Sequence, residues 1–448
     1  MRPATSSTSC QRSSRGSRAQ RRRSRSRIPP RRGRRPGRQG LRCSCCRSCL
    51  ASDPIAGTTS CAPCSPSSSR PGPERFGSAG SARSRRVGTR ALRMASFGWK
   101  LMNDKLRIAV LSPVWFAVPP TGYGGIELVV SLLADGLADA GHEVTLFASG
   151  DSLTKANLSY IFEEAPSELI GRSLPELRHA LACYTRADEF DVINDHSGIP
   201  AAALGGLLST PVLHTVHGPL DTHEAQNAYE SIAEVSPSVG LISISENQRR
   251  SMPDLPWAAT IPNAIDLSLY PSKPHRGDYL LFLGRFSPDK GAHRAIAVAM
   301  ELGLPLKMAG KNREQKERQY FAEYVEPHVG NNGIEYLGEV THGEKVELLQ
   351  DARATLFPIE WEEPFGLVMV ESMACGTPVI ATRHGAVPEV IHDGRSGIIV
   401  ENFREMAAAL DLADELDPTD CRAYVEERFA PERMVRDYVN AYAAALSQ

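Results

Sequence analysis

Three linked segments decide the fold of this chain. They are Ala354-Thr355-Leu356-Phe357-Pro358, Glu363-Pro364-Phe365-Gly366-Leu367-Val368-Met369-Val370-Glu371, and Ala374-Cys375-Gly376-Thr377-Pro378-Val379-Ile380-Ala381-Thr382. The first predicts a short buried strand, and Pro378 to Thr382 predicts the next one. Between them Phe365-Gly366-Leu367 turns into a helix that carries Glu371. A helix that begins at the carboxyl end of a parallel strand is where open α/β sheets take their ligands. Its free N–H groups attract phosphate, and Gly366 lets a ligand approach the backbone. Glu371 lies five residues on, about 7.5 Å along the axis. That offset suits a diphosphate at the helix end and a ribose hydroxyl on the carboxylate. Two glutamates in such a loop and helix are usually only solvated. The flanking strands and the small Ala374-Cys375-Gly376 exit argue otherwise.

Outward from this segment, the charge is split. Residues 1–100 carry 24 Lys+Arg against 2 Asp+Glu, and the remainder carries 27 against 50. Seven of the ten cysteines also fall in the first hundred residues. Residues 1–93 have few aliphatics and no apolar period, so the composition predicts disorder. A basic arm for nucleic acid, a zinc site on Cys46/Cys49 and Cys61/Cys64, and a transit peptide compete as readings. The favoured expectation is that the folded protein starts at Met94 or Met102. No apolar stretch is long enough for a signal peptide or membrane span. Scattered Cys183, Cys375 and Cys421 point to a reducing cytoplasm.

From Leu106 on, apolar strands alternate with helical periods. Strands are expected at 106–111, 144–148, 192–194, 212–216, 241–244 and 258–262. After a linker over 270–278 they resume at 279–283, 306–309 and 334–337, then at the opening segment and 397–400. Helices are expected at 126–140, 176–185, 200–208, 292–302 and 344–350, with an amphipathic one at 431–446. The alternation implies α/β architecture with parallel sheets. Two such runs imply two Rossmann-like domains facing a cleft.

Candidate site residues collect at predicted carboxyl strand edges. Gly122-Tyr123-Gly124-Gly125 follows the first strand but lacks the GxGxxG order, so a dinucleotide fingerprint is unsupported. Gly124 and Gly125 still admit a ligand to backbone. Arg285 and Lys290 flank the exit of the strand at 279–283 and can converge on one anion, one as a fork and one as a point charge. His217 follows the strand at 212–216 and is read as accepting or donating a proton near neutral pH. His196 and His384 hold weaker versions of that position. His and Cys do not cluster as metal ligands in the folded part.

These residues resemble one family. Glu363 through Glu371 forms a Glu-x7-Glu element, and the Gly124-Gly125 loop, Thr215-Val216-His217-Gly218, Ser243-Ile244-Ser245-Glu246, Ile261 to Asp266, Gly284-Arg285 and Lys290-Gly291 accompany it. Together they look like a retaining glycosyltransferase of the GT-B fold, family 4, from about Leu106 to the C-terminus. The extension, read as disordered over 1–103, is not a feature of that family; the resemblance implies an N-terminal acceptor domain over 104–270. It further implies a C-terminal nucleotide-sugar donor domain over 271–430 and a last helix, 431–448, packed back on the first domain. Arg285 and Lys290 would neutralise the leaving diphosphate, with help from Gly125 and from Phe365-Gly366-Leu367. Glu371 would bind the ribose, Glu363 the transferred sugar, and His217 would lie beside it. The expected activity is transfer of a hexosyl group from a UDP- or GDP-sugar with retention and without metal or cofactor. The acceptor is a glycan, a lipid or a small metabolite. The expected location is cytoplasmic, with peripheral membrane contact open and no specific nucleic acid. A sugar-nucleotide epimerase and an inactive scaffold are the alternatives. Asn263-Ala264 and Arg383-His384-Gly385-Ala386 depart from the family's usual Asn-Gly and Gly-Gly.

Overall fold

The computed structural model describes residues 105–122 and 124–447. The extension over 1–103, its Cys46/Cys49 and Cys61/Cys64 pairs and the starts at Met94 and Met102 lie outside the described residues.

Strands β1 (Arg107–Leu111), β2 (Glu143–Phe147), β3 (Asn157–Ser159), β4 (Val192–Asp195), β5 (Val212–Val216), β6 (Gly240–Ser243) and β7 (Trp257–Thr260) form the first sheet, in the order 3-2-1-4-5-6-7. Strands β8 (Tyr279–Leu283), β9 (Leu306–Ala309), β10 (Ile334–Tyr336), β11 (Ala352–Phe357), β12 (Val379–Thr382) and β13 (Gly397–Val400) form the second, in the order 10-9-8-11-12-13. Neighbouring strands in both sheets are parallel. Their sequences explain this. Val-Leu-His-Thr-Val in β5 and Tyr-Leu-Leu-Phe-Leu in β8 are buried along their whole length. Unbroken buried runs belong to strands covered by helices on both faces.

The first sheet is accompanied by α1 (Gly125–Asp139), α2 (Ser173–Tyr184), α3 (Ile199–Gly205), α4 (His223–Val235) and α5 (Glu246–Arg250). The second is accompanied by α6 (Ala292–Leu302), α7 (Gln315–Tyr324), α8 (His342–Gln350), α9 (Leu367–Ala374), α10 (Val387–Val390), α11 (Met406–Asp414) and α12 (Pro418–Arg428). A last helix, α13 (Pro431–Ala445), returns to the first sheet. Its Met434, Val435, Tyr438 and Tyr442 share one core with Val129, Leu133 and Leu137 of α1.

Strand order reverses direction between β1 and β4, and again between β8 and β11. Crevices at such reversals, at the carboxyl ends of the strands, are the ligand positions of doubly wound sheets. Here the loops leaving β1 and β8 and the loop from β11 into α9 all open there. On the hinge side, Glu389 of α10 accepts from the N–H groups of Glu246 (2.7 Å) and Asn247 (2.6 Å) at the start of α5, tying the two sheets' layers together.

One expectation needs correction. The helix expected over 200–208 ends at Gly205, where Gly205-Gly206 removes the helical preference. The linker over 270–278 holds no helix or strand, but its first residue is drawn into the core: Tyr270 is fully buried, and its hydroxyl donates to Glu371 (2.7 Å). No described helix is long and apolar enough to cross a membrane.

Candidate active site

Two glycines open the helices that face each other across the cleft. Gly124 caps α1 with φ 150° and Gly366 caps α9 with φ 86°. A Cβ at Gly124 would lie 2.8 Å from Pro120 Cβ, and one at Gly366 2.5 Å from Met369 Cε. A side chain fits at neither place, so both N-termini stay bare. The helices then meet at their first residues: a Cβ on Gly125 would sit 3.1 Å from Leu367 Cδ1. The positive ends of two helix dipoles therefore converge on one waist.

Two cavities join at that waist, sharing Gly124, Gly125, Arg285 and Leu367 in their walls. One, of about 390 Å³, is lined by Trp115, Glu127, His217, Lys290, Trp361 and Glu363 among others. The other, of about 380 Å³, is lined by Gly284, Gly310, Thr341, Lys345, Val368 and Glu371 among others. Arg285 stands at the junction, and Lys290 lines the first cavity. Lys290 forms an ion pair with Glu363, and its ammonium lies 4.5 Å from the Trp361 ring centre. Trp361 Nε1 also donates to Glu363 (3.1 Å). Arg285 lies 3.6 Å from Asp289 and is about one-third exposed.

Each carboxylate of the Glu-x7-Glu element is held differently. Glu363 is buried against the first cavity, and its carbonyl accepts from Ala386 N–H (2.8 Å). A Cβ at Gly385 would lie 2.2 Å from Glu363 N, so the Arg383-His384-Gly385-Ala386 loop is the floor beneath Glu363. Glu371 reaches the second cavity but is almost wholly buried, accepting from Tyr270 Oη (2.7 Å) and Lys345 Nζ (2.6 Å). The sequence groups Lys290 with Arg285. The fold instead pairs Lys290 with Glu363 and gives Glu371 its own cation.

His217 sits in the first cavity wall, where its surroundings work against the charged form. Burial, with the nearby His214 adding to it, pushes its pKa down to about 3. His196 Nδ1 lies 2.9 Å from His217 Nε2, and burial likewise holds His196 well below the usual histidine range. His384 is half-buried in the floor loop and is not in either cavity wall.

The structure adds residues that sequence reasoning misses. Glu127, in the first turn of α1, lines the first cavity while buried, and burial lifts its carboxyl to about 7. Its only sequence signal is its place after Gly124-Gly125-Ile126. Tyr270 reads as linker and Lys345 as the solvated face of a helix, yet both hold Glu371. Trp361 lies in the loop between β11 and the α9 turn, where no period marks it. Among the described residues no three His, Cys, Asp or Glu side chains group as metal ligands.

Comparison with known proteins agrees with this geometry. Residues 271–428 match the family model described as Glycosyl transferases group 1, and residues 123–269 match the model described as Glycosyltransferase Family 4. The chain is 27% identical over 334 residues to a phosphatidyl-myo-inositol mannosyltransferase of Mycolicibacterium smegmatis, covering 68% of this chain and 84% of that protein. It is 26% identical over 387 residues to a glycogen synthase of Mycobacterium tuberculosis, covering 74% and 91%. Among solved structures, AviGT4, a glycosyltransferase involved in avilamycin A biosynthesis, superposes with a TM-score of 0.57 at 25% identity, covering 76% of this chain and 98% of that one.

Proposed function

Because this chain belongs to the group 1 glycosyltransferases, of the GT-B fold and family 4, we propose that it moves a hexosyl group from a UDP- or GDP-sugar to an acceptor hydroxyl with retention and without a metal. The observation that carries this reading is the waist: two bare helix N-termini and Arg285 lie where two cavities join, and Lys290 lines the cavity of Glu363 beside it. The diphosphate lies at the waist, the nucleoside in the cavity of Glu371 and the sugar in that of Glu363 and His217. Departure of the nucleoside diphosphate builds charge on its terminal phosphate. Donors already aimed there stabilise that charge in the transition state. The acceptor oxygen joins the anomeric carbon on the face from which the phosphate oxygen leaves, and the hydroxyl proton passes to the departing phosphate. Glu363 then serves as a sugar ligand and the counter-ion of Lys290, not as a nucleophile.

Relatives named for an inositol lipid and for glycogen support acceptor classes as different as a lipid and a glycan. Neither family model describes an epimerase, and intact Arg285, Lys290, Glu363 and Glu371 disfavour a scaffold.

The test is thermal unfolding of the full chain with UDP-glucose and with GDP-mannose. A donor at one hundred times its Kd adds about 2.7 kcal/mol, a rise of several degrees. Slow hydrolysis of the same donor should persist in EDTA. If neither nucleotide sugar shifts the melt or turns over, the reading fails; if EDTA abolishes turnover, its metal-free part does. Glu371→Gln keeps the shape but removes the charge, and should raise donor KM about tenfold, the loss of one charge-assisted hydrogen bond. An unchanged KM would remove Glu371 from the nucleoside cavity.

A further inference from the structure

The wall that holds His217 is wired to the last helix of the chain. Asn194 at the end of β4 is fully buried. Its Nδ2 donates to the Leu213 carbonyl (3.1 Å), which fixes the amide orientation and makes Oδ1 an acceptor. Tyr442 of α13 donates its hydroxyl to that Oδ1 (2.7 Å). His196 Nε2 lies 3.0 Å from the same oxygen, so this nitrogen must carry a proton. His196 Nδ1 faces His217 Nε2 at 2.9 Å, with one proton between them. The neighbouring Asp195 is engaged by His214 at 2.7 Å. Among the described residues no carboxylate pairs with His196 or His217, and a buried imidazolium without a counter-charge is costly. Neutral His196 therefore leaves Nδ1 bare, and His217 supplies the proton from Nε2.

We infer that Asn194 and His196 are positioning residues that lock His217 in one tautomer, so that it offers the lone pair of Nδ1 to a substrate hydroxyl in the cavity. This rests on the transferase reading for the identity of that hydroxyl, but not for the tautomer. His217 in this state accepts a hydrogen bond and donates none from its cavity nitrogen. Tyr442, with Tyr438 3.1 Å from Thr215 Oγ1, extends the lock to α13. The last helix, of fifteen residues, thus completes a wall whose Asn194, His196 and His217 precede it by more than two hundred residues.

The test is nitrogen-15 NMR of the full chain with labelled histidine at pH 7.5, His217→Gln supplying the assignment. His217 should show a protonated Nε2 and an unprotonated Nδ1. Asn194→Leu removes the acceptor for His196, frees it to protonate Nδ1 and donate to His217, and should move His217 towards the opposite tautomer. The same variant should lose about tenfold in kcat/KM for whichever of UDP-glucose or GDP-mannose is hydrolysed. His196→Gln keeps an amide oxygen able to accept from His217 and should stay within about threefold of the parent. A protonated Nδ1 in the parent protein overturns the assignment, as does a His217 signal unmoved by Asn194→Leu. If Asn194→Leu does not accumulate, the parent spectrum and His196→Gln decide between the same outcomes. Absence of turnover with both nucleotides counts against the transferase reading alone, because the NMR measurement needs no donor.

Discussion

Lys290→Ala is expected to lower kcat/KM for the sugar nucleotide by about 10²–10³-fold, the range for removing one preorganised group that stabilises charge in a transition state. Its stability should also fall, by about 2 kcal/mol, because Glu363 loses its ion-pair partner. That figure sits below the range for fully buried pairs, since the Lys290 and Glu363 side chains line an open cavity and are 15% and 9% exposed. The two losses separate in Lys290→Ala/Glu363→Gln. A neutral amide needs no counter-charge, so the double variant should regain most of the stability and none of the activity. Steady-state kinetics and urea unfolding decide the matter. Activity within threefold of the parent in Lys290→Ala would take Lys290 out of the reaction. A double variant as unstable as the single one would show that the orphaned carboxylate is not the cause.

Glu127→Gln is expected to stabilise the protein in a pH-dependent way. Burial lifts the Glu127 carboxyl from an ordinary 4.5 to about 7, so the folded chain holds this proton more tightly than the unfolded chain. Between those values stability falls as pH rises, because the folded state must give up a proton the unfolded state has already lost. Below about pH 4 both states are protonated and the penalty vanishes. Above pH 7 it reaches about 3 kcal/mol. The stability difference between Glu127→Gln and the parent should therefore widen by about 2 kcal/mol from pH 5 to pH 8, measured by denaturant unfolding. A difference independent of pH would mean that Glu127 titrates normally. A bound diphosphate at Gly124 and Gly125 would raise the proton affinity of Glu127 further. Donor affinity should thus weaken above pH 7 in the parent and stay flat in the variant.

The opening segment was readable because its signals are local. Strand β11, the Gly366 turn and helix α9 follow from an apolar run, a glycine and a helical period within thirty residues. Arg285, Lys290, His217 and the Gly124-Gly125 loop were readable as candidates by the same logic, each standing just past a predicted strand. Helices α4, α7, α11 and α12 escaped it. In α7, Gln-Lys-Glu-Arg-Gln-Tyr-Phe-Ala-Glu-Tyr, and in α12 too few apolar residues stand for a period to show, whereas α11 is a short, almost wholly apolar run without one. Tyr270 escaped because proline and charge around it read as linker, while its burial depends on α8 and α9 closing over it.

The alternation of strand and helix, and hence two parallel sheets with open loops on their carboxyl edges, was legible in the chain's local pattern. Those features are set by hydrophobic period and glycine placement, which act over a few residues. Only the tertiary structure decided which charges meet. It gave Lys290 to Glu363, placed Lys345 and Tyr270 on Glu371, buried Glu127, and set His217 against His196. Pairing, proton affinity and tautomer depend on distance and desolvation, and residues 73 apart, such as Lys290 and Glu363, become neighbours only when the chain has closed around them.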